Sequence, residues 1–296
     1  MDDIKLTIFT PTYNRLEKLK ELHQSLCIQT CKKFIWMIVD DGSVDNTGQL
    51  VGEWQKECDF EICYKYQQNS GKYIAHNQGV EDCITELFVC IDSDEHLFAQ
   101  SVETIYSEWE KYRDDDSIAG IASPRKMRDG MGFTELSLPE CGTLQELYVK
   151  YHYYGETALV YRSAILKNVL FPEIEREKFM KESVIYWKID NKYVMRYCPE
   201  FLCEGSYLSD GLTNNVFQQQ VKSPNCTLLH YKVSSAYKLK LIERIKSYGC
   251  YLAWKDCFKL TDRFQAYNIS IPVKIGGQLL CPRYKKIFKI KLEGQE

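Results

Sequence analysis

No stretch of this 296-residue chain approaches the ~20 consecutive apolar residues that a membrane-spanning helix requires. Met1-Asp2-Asp3 brings neither a basic nor an apolar segment, so the sequence predicts no secretory signal. Paired Cys-x-x-Cys spacing is also absent. The 13 cysteines are scattered and odd in number, several of them inside β or helical patterns (Cys63, Cys90, Cys250). That distribution fits reduced, buried thiols in a cytoplasmic protein better than a disulfide framework or a zinc site. Even Cys27 and Cys31, which share a helical spacing, are read as thiols rather than ligands. With 45% hydrophobic residues the chain can bury a full α/β core, and its length allows one domain plus an appendage.

Charge is unevenly spread. Residues 232–296 hold 14 Lys and Arg against 5 Asp and Glu, although the whole chain carries −3. Tyr237 to Lys246 and Arg283 to Lys291 mix cations with aromatic and aliphatic residues. A basic amphipathic stretch of this kind suits an anionic membrane surface. A helical subdomain packing its apolar side on the core, or a homodimer contact, are the alternatives. No nucleic-acid-binding module accompanies the charge, so nucleic acid is not an expected partner.

Four β-type runs occupy the first hundred residues, and each ends in polar loop chemistry. Leu6 to Phe9 leads into Thr10-Pro11-Thr12-Tyr13-Asn14-Arg15. Asn14 and Glu17 have the capping-box pattern, and Leu16, Leu19, Leu22 and Leu26 recur at helical spacing. Phe34 to Val39 ends in Asp40-Asp41-Gly42-Ser43. Ile62 to Tyr66 leads to Gln68-Asn69-Ser70-Gly71-Lys72 and a helix start at Ala75 to Gly79. Leu87 to Ile91 meets Asp92-Ser93-Asp94. As extended chain, Asp92 and Asp94 share one side, at the carboxyl end of a strand, where open α/β sheets bind ligands. Two hard carboxylates suit Mg²⁺ or Mn²⁺ held together with substrate phosphates. Taken singly, each motif reads as a turn or a helix start. Together they describe an α/β sheet with its functional loops on one edge.

In this order and spacing, Thr10-Pro11-Thr12-Tyr13-Asn14, Asp40-Asp41-Gly42-Ser43, Asn69-x-Gly71-Lys72-x-x-Ala75-x-Asn77-x-Gly79 and Asp92-x-Asp94 resemble the family 2 glycosyltransferases with the GT-A fold. Downstream, Glu177-Lys178-Phe179-x-x-Glu182-Ser183-x-Ile185 and Asp210-Gly211-Leu212-Thr213 look like the bacterial members that build capsular or other surface polysaccharides. The likeness covers roughly the first 215 residues. It implies a GT-A-type nucleotide-sugar-binding α/β/α sandwich with a mostly parallel central sheet and a C-terminal helical extension. Joined to the uneven charge, it gives the expected division: a catalytic domain over 1–231 (a nucleotide-binding half, 1–100, and an acceptor half, 101–231) and a basic extension over 232–296.

The resemblance further implies inverting, metal-dependent, nonprocessive transfer of a sugar from a nucleotide-diphosphate sugar, a UDP-sugar foremost. The acceptor would be a hydroxyl of a glycan or lipid-linked glycan, in the cytoplasm or peripherally at the inner face of the membrane. By resemblance Asp94 is the ligand of Mg²⁺ or Mn²⁺, and Asp92 contacts the ribose or the metal. Asp40 and Asp41 hold base and ribose, while Thr10, Pro11 and Tyr13 frame the base. Lys72 contacts base or diphosphate, Gly71 and Gly79 permit close backbone approach, and Asn77 is read as structural. Glu182 is the base that takes the acceptor proton. Many relatives carry Glu-Asp there, whereas Ser183 follows here, so Glu182 must act without a neighbouring Asp.

Around these, Glu95 is expected to be exposed or to support the ligands, and His96 to be a surface residue. His230 is a lesser candidate for a metal ligand. Glu156 is either a sugar contact or an edge-strand acid, Asp210 a loop closing over the diphosphate, and Pro124 to Gly142, charged and Gly-rich over Arg125 to Gly132, a mobile loop. No Gln-x-x-Arg-Trp motif is present, which argues against polymerising synthases. The alternative is a nucleotidyltransferase-like enzyme or a catalytically silent nucleotide-sugar-binding relative. The former usually opens on a glycine-rich phosphate loop, and Thr10 to Arg15 has no glycine; the latter would have lost Asp94 or Glu182.

Overall fold

A computed structural model describes residues 4–127, 138–205 and 215–294. The chain runs through β1 (Leu6–Thr12), α1 (Leu16–Cys27), β2 (Phe34–Asp40), α2 (Thr47–Glu57), β3 (Glu61–Tyr66), α3 (Lys72–Asp82) and β4 (Leu87–Cys90). It continues with β5 (His96–Leu97), α4 (Ser101–Trp109), β6 (Ile118–Met127), β7 (Cys141–Gly142), α5 (Leu144–Val149), β8 (Thr157–Arg162) and α6 (Ser163–Lys167). Then follow α7 (Ser183–Asp190), β9 (Val194–Tyr197), β10 (Cys203–Gly205), α8 (Val216–Lys222), α9 (Pro224–Tyr237), α10 (Leu241–Cys257) and α11 (Ile271–Glu293).

Contacts divide the chain into two compact units, Met1–Phe171 with Lys192–Gly211, and Pro172–Asn191 with Leu212–Glu296. The boundary expected at residue 231 rested on charge, whereas this division rests on packing and groups α7 with α9.

The first unit carries the sheet, in the order β3-β2-β1-β4-β8-β6-β10-β5, with β9 joining β6 to β7. β3, β2, β1 and β4 are mutually parallel, while β8 runs antiparallel to both its neighbours. β1 and β2 are buried at every position. This is what a strand covered on both faces requires, and it explains why β2 reads as a continuous apolar run from Phe34 to Val39; in β1 the buried Thr7, Thr10 and Thr12 interrupt the run. Thr12 lies opposite Asp40, Asp40 opposite Tyr66, and Phe9 opposite Cys90, so these strands all end at one edge. The chain passes from β1 outward to β2 and β3, then crosses back to place β4 on the other side of β1. That reversal is the position where such sheets hold ligands.

Helix packing explains two motif residues. A Cβ on Gly79 would lie 2.4 Å from the Phe9 ring, so glycine lets α3 approach β1. Asn77 clamps residue 171 in both directions, its Nδ2 donating to Phe171 O at 2.7 Å and its Oδ1 accepting from Phe171 N at 2.9 Å. Two expectations are corrected. No Asn14–Glu17 capping box forms: Asn14 has φ +50° and exchanges bonds with the next loop, donating its N–H to Ser43 Oγ and accepting from Val44 N–H. The first turn of α1 is instead satisfied by Asp45, which accepts from Leu16 N–H at 3.0 Å. Pro124 to Met127 belong to strand β6 and Cys141–Gly142 to β7 rather than to a mobile loop, with Arg125 paired to Glu156 and Cys203; residues 128–137 of that stretch lie outside the described residues.

The second unit is helical. Leu228, Tyr251, Ala253, Trp254, Cys281 and Phe288 form its core. Trp254 Nε1 donates to Pro224 O at 3.0 Å, and Lys232 pairs with Asp262 at 2.6 Å. No helix among the described residues is long and apolar enough to cross a membrane.

Candidate functional site

At the carboxyl edge of the sheet a single relay of contacts links the loops after β2, β3 and β4 to strands β6 and β8. It starts at Asp41, which is buried after β2. Its Oδ1 accepts from Gln67 Nε2 (2.6 Å) and Ser70 N–H (2.7 Å), and its Oδ2 from Gly71 N–H (2.8 Å). Gly71, at φ +101°, adopts a conformation that a side chain would resist, and it opens α3. The next residue, Lys72, places Nζ 2.9 Å from both carboxylate oxygens of Asp92. Glu95 Oε2 accepts from Asp92 N–H at 3.1 Å, and Arg125 Nη1 lies 2.6 Å from Glu95 Oε1 and 2.7 Å from Glu156 Oε2.

Asp92 and Asp94 are not on an extended segment. β4 stops at Cys90, and Glu95 N–H returns to Asp92 O at 3.0 Å, so the acid pair sits in a turn. The reason is Glu95, whose side chain and amide both bind Asp92 while Arg125 fixes the far oxygen. Glu95 is 3% exposed, so the surface alternative for it is corrected and the supporting one stands. Burial pushes its carboxyl upward, with the Arg125 charge opposing. Burial also works to raise Asp92, but the Lys72 ammonium prevails and holds it below its ordinary value. Asp94 is raised, by burial first and by the Asp92 charge second. A cation beside Asp94 would relieve both effects, and two hard carboxylates match Mg²⁺ or Mn²⁺.

Asp40, 1% exposed, accepts from Ser43 N–H (2.7 Å) and Tyr64 O–H (2.8 Å). Both Asp40 and Asp41 therefore shape loops, whatever else they contact. Thr10 is buried and accepts from Trp36 Nε1 at 3.1 Å, Pro11 is buried, and Tyr13 is 49% exposed at the edge. Thr12 Oγ1 is buried without a hydrogen-bond partner among the described residues, beside Asp40 in the register. Glu156 precedes an interior strand, not an edge one, and is held by Arg125. His96, on β5, pairs with Glu21 at 3.2 Å.

Glu182 belongs to the second unit. It is exposed directly before α7, its carbonyl accepting from Ile185 N–H (3.0 Å) and Tyr186 N–H (3.2 Å). Ser183 Oγ meets His230 Nδ1 at 3.1 Å. His230 is buried and held well below its ordinary value, chiefly by that burial. Its ring is thus engaged in anchoring the start of α7. Asp210 to Thr213 lie outside the described residues.

Sequence reasoning passed over Arg125 and Thr12. The alternation of Thr12 with Thr10 was a usable signal for the second; nothing local marks Arg125, whose partners lie 30 and 31 residues away.

Comparison with known proteins gives a consistent result. Residues 7–170 match the model of a family described as Glycosyl transferase family 2. The chain is 31% identical over 121 residues to Glycosyltransferase GlyA of Streptococcus pneumoniae serotype 4, covering 41% of this chain and 17% of that protein. It is 28% identical over 125 residues to a poly-beta-1,6-N-acetyl-D-glucosamine synthase of Staphylococcus aureus, covering 42% of this chain and 29% of the relative. The chain thus matches less than a third of the length of these two proteins. Among solved structures, S. aureus TarS 1-349 in complex with UDP-GlcNAc matches at TM-score 0.61 and 15% identity, over 98% of this chain and 92% of the other. Mannosyltransferase PcManGT from Pyrobaculum calidifontis, in complex with GDP-Man and Mn²⁺, matches at TM-score 0.57 and 16% identity, over 95% and 79%. At these identities the structural likeness concerns the fold.

Proposed function

The chain belongs to glycosyl transferase family 2, and from that premise we propose that it is an inverting, nonprocessive transferase using a nucleotide-diphosphate sugar. The observation that carries this reading is the Asp92–Asp94 turn at the sheet reversal, joined to the α3 start through Lys72. Asp94, with Asp92, would hold Mg²⁺ or Mn²⁺, whose charge would stabilise the departing diphosphate. Lys72 places a second positive charge in the same loop system. Tyr13, Pro11 and Thr10 would frame the base, and buried Thr12 Oγ1 remains available to a polar group of the nucleoside. Asp40 and Asp41 would contact base or ribose with the lone pairs that their loop contacts leave over.

Glu182 would take the proton of the acceptor hydroxyl. That oxygen forms its bond to the anomeric carbon as the bond to the diphosphate oxygen breaks, so the configuration inverts. The synthase relative and the UDP-GlcNAc and GDP-Man complexes of the structural neighbours support a sugar donor of this class and an acceptor in polysaccharide synthesis. Exposed Ile271, Ile275 and Leu279, spaced by four on α11 beside Lys274, support peripheral contact with an anionic membrane.

The deciding experiment is calorimetric titration with UDP, GDP and dTDP, with and without Mn²⁺. Metal-dependent binding of one of them, abolished in Asp94→Ala, is expected. Binding indifferent to Mn²⁺ in both proteins would overturn the metal assignment.

A further inference from the structure

Away from the sheet edge, the first unit gathers three soft ligands. α1 carries His23 and Cys27 one turn apart, and helical geometry puts residues at this spacing on one face. Cys58 is the residue that ends α2. His23 Nε2 lies 3.1 Å from Cys58 Sγ and 3.4 Å from Cys27 Sγ, and the three ligand atoms fall within 4.8 Å of one another. Zinc bonds of about 2.3 Å to sulfur and about 2.0–2.1 Å to nitrogen, in a tetrahedron, set ligand atoms about 3.6–3.8 Å apart. Lengthening the two His23–sulfur contacts by a few tenths of an ångström brings them to that spacing. We infer that His23, Cys27 and Cys58 form a site for Zn²⁺ that clips the end of α1 to the end of α2.

The surroundings suit this role. Trp54 stacks on His23 with centroids 4.0 Å apart and an interplanar angle of 8°. Stacking takes up a ring face and leaves the in-plane Nε2 facing the two sulfurs. Cys27 is exposed, which gives the ion an entry path and leaves room for water as a fourth ligand. Zn²⁺ would displace the two thiol protons on binding, and the resulting thiolates would offset its charge. Thiolate and imidazole ligands also separate this site chemically from the Asp92–Asp94 turn, whose oxygens suit Mg²⁺ or Mn²⁺. The sequence conceals it because the pairing in α1 is Cys27 with His23, and the third ligand lies 31 residues beyond Cys27.

The test is titration of the full-length, reduced, metal-stripped protein with Co²⁺, followed by competition with Zn²⁺. One equivalent of Co²⁺ should produce thiolate-to-cobalt charge-transfer absorption and tetrahedral visible bands, both displaced by Zn²⁺. Cobalt at carboxylates gives no thiolate band, so the two sites are read separately. Cys27→Ser, at an exposed position, should weaken binding by at least the roughly 10–100-fold that even an outer-shell contact is worth. Cys58→Ser and His23→Gln should do the same, with folding followed by circular dichroism. A first equivalent without the thiolate band, or a band that survives in Cys27→Ser at unchanged affinity, would show that the cluster is held by thiol–imidazole hydrogen bonds alone and would overturn the site.

Discussion

Asp41→Ala gives the sharpest reading of the sheet edge, because one carboxylate organises the whole loop before α3. Its three donors are Gln67 Nε2, Ser70 N–H and Gly71 N–H. A hydrogen bond to a charged group contributes about 1.5–3 kcal/mol, and a buried donor left without an acceptor costs about 1–3 kcal/mol. The Gly71 amide is buried and has no ready water, whereas the other two donors are part-buried and recover some of their loss. The expected cost of the alanine variant is therefore about 3–4 kcal/mol. Asparagine retains one carbonyl oxygen for Gln67 and Ser70, but its amide nitrogen meets Gly71 N–H donor to donor. Its cost should be about 2 kcal/mol.

At about 1.4 kcal/mol per tenfold, the alanine change corresponds to a 10²–10³-fold gain in opening of the loop. Native-state hydrogen exchange at Ser70 and Gly71 reads this directly, alongside urea unfolding. Nucleotide affinity should decline in the same order, wild type above Asn above Ala, since Lys72 follows Gly71. An alanine variant within about 0.5 kcal/mol of wild type, with Gly71 protection unchanged, would refute the reasoning.

Glu182→Gln should keep donor affinity while turnover falls by about 10²–10⁴-fold, the usual weight of a general base; near-normal kcat removes Glu182 from that role. Burial, aided by the Lys181 and Lys238 charges, keeps His230 far below its ordinary 6.5. The unfolded chain therefore takes up that proton first as pH falls. The contribution is complete above pH 6.5 and is lost at up to about 1.4 kcal/mol per pH unit below it. His230→Gln should flatten this acid limb in unfolding curves between pH 7 and 5, and an identical slope counts against the account. Gly79→Ala drives a methyl into the buried Phe9 ring and should cost about 1–3 kcal/mol or more, as overpacking does. A urea midpoint equal to wild type would mean that α3 and β1 are not so closely packed.

Much of the first unit was legible because buried parallel strands leave a plain trace. β2 is apolar from Phe34 to Val39, β1 mixes apolar residues with threonines of β character, and both stop at loop-forming residues, so their ends were placed within a few residues. Asn77 and Gly79 likewise took the packing roles that their residue types suggest. What escaped was whatever depends on a distant partner. The Asn14–Glu17 pattern pointed to a local cap, yet Asp45 supplied it from the next loop. Asp92 and Asp94 looked extended because strand alternation was continued past Cys90; the turn is braced by Glu95, which Arg125 holds from a strand thirty residues on. His23 and Cys58 meet through the packing of two helices, which no local pattern encodes.

The itinerary of the polypeptide between the two units has a consequence for anyone wishing to dissect the enzyme. The backbone leaves the sheet-bearing unit at Phe171, builds α7, and comes back at Lys192 to lay down β9 and β10 against β6. During translation α7 emerges before α9, on which it packs, has been made. A single protease nick near residue 171 would free neither piece, since β9 and β10 would still be hydrogen-bonded to β6. A gene fragment ending at Phe171 would leave that side of β6 bare, an invitation to self-association rather than a miniature donor-binding module.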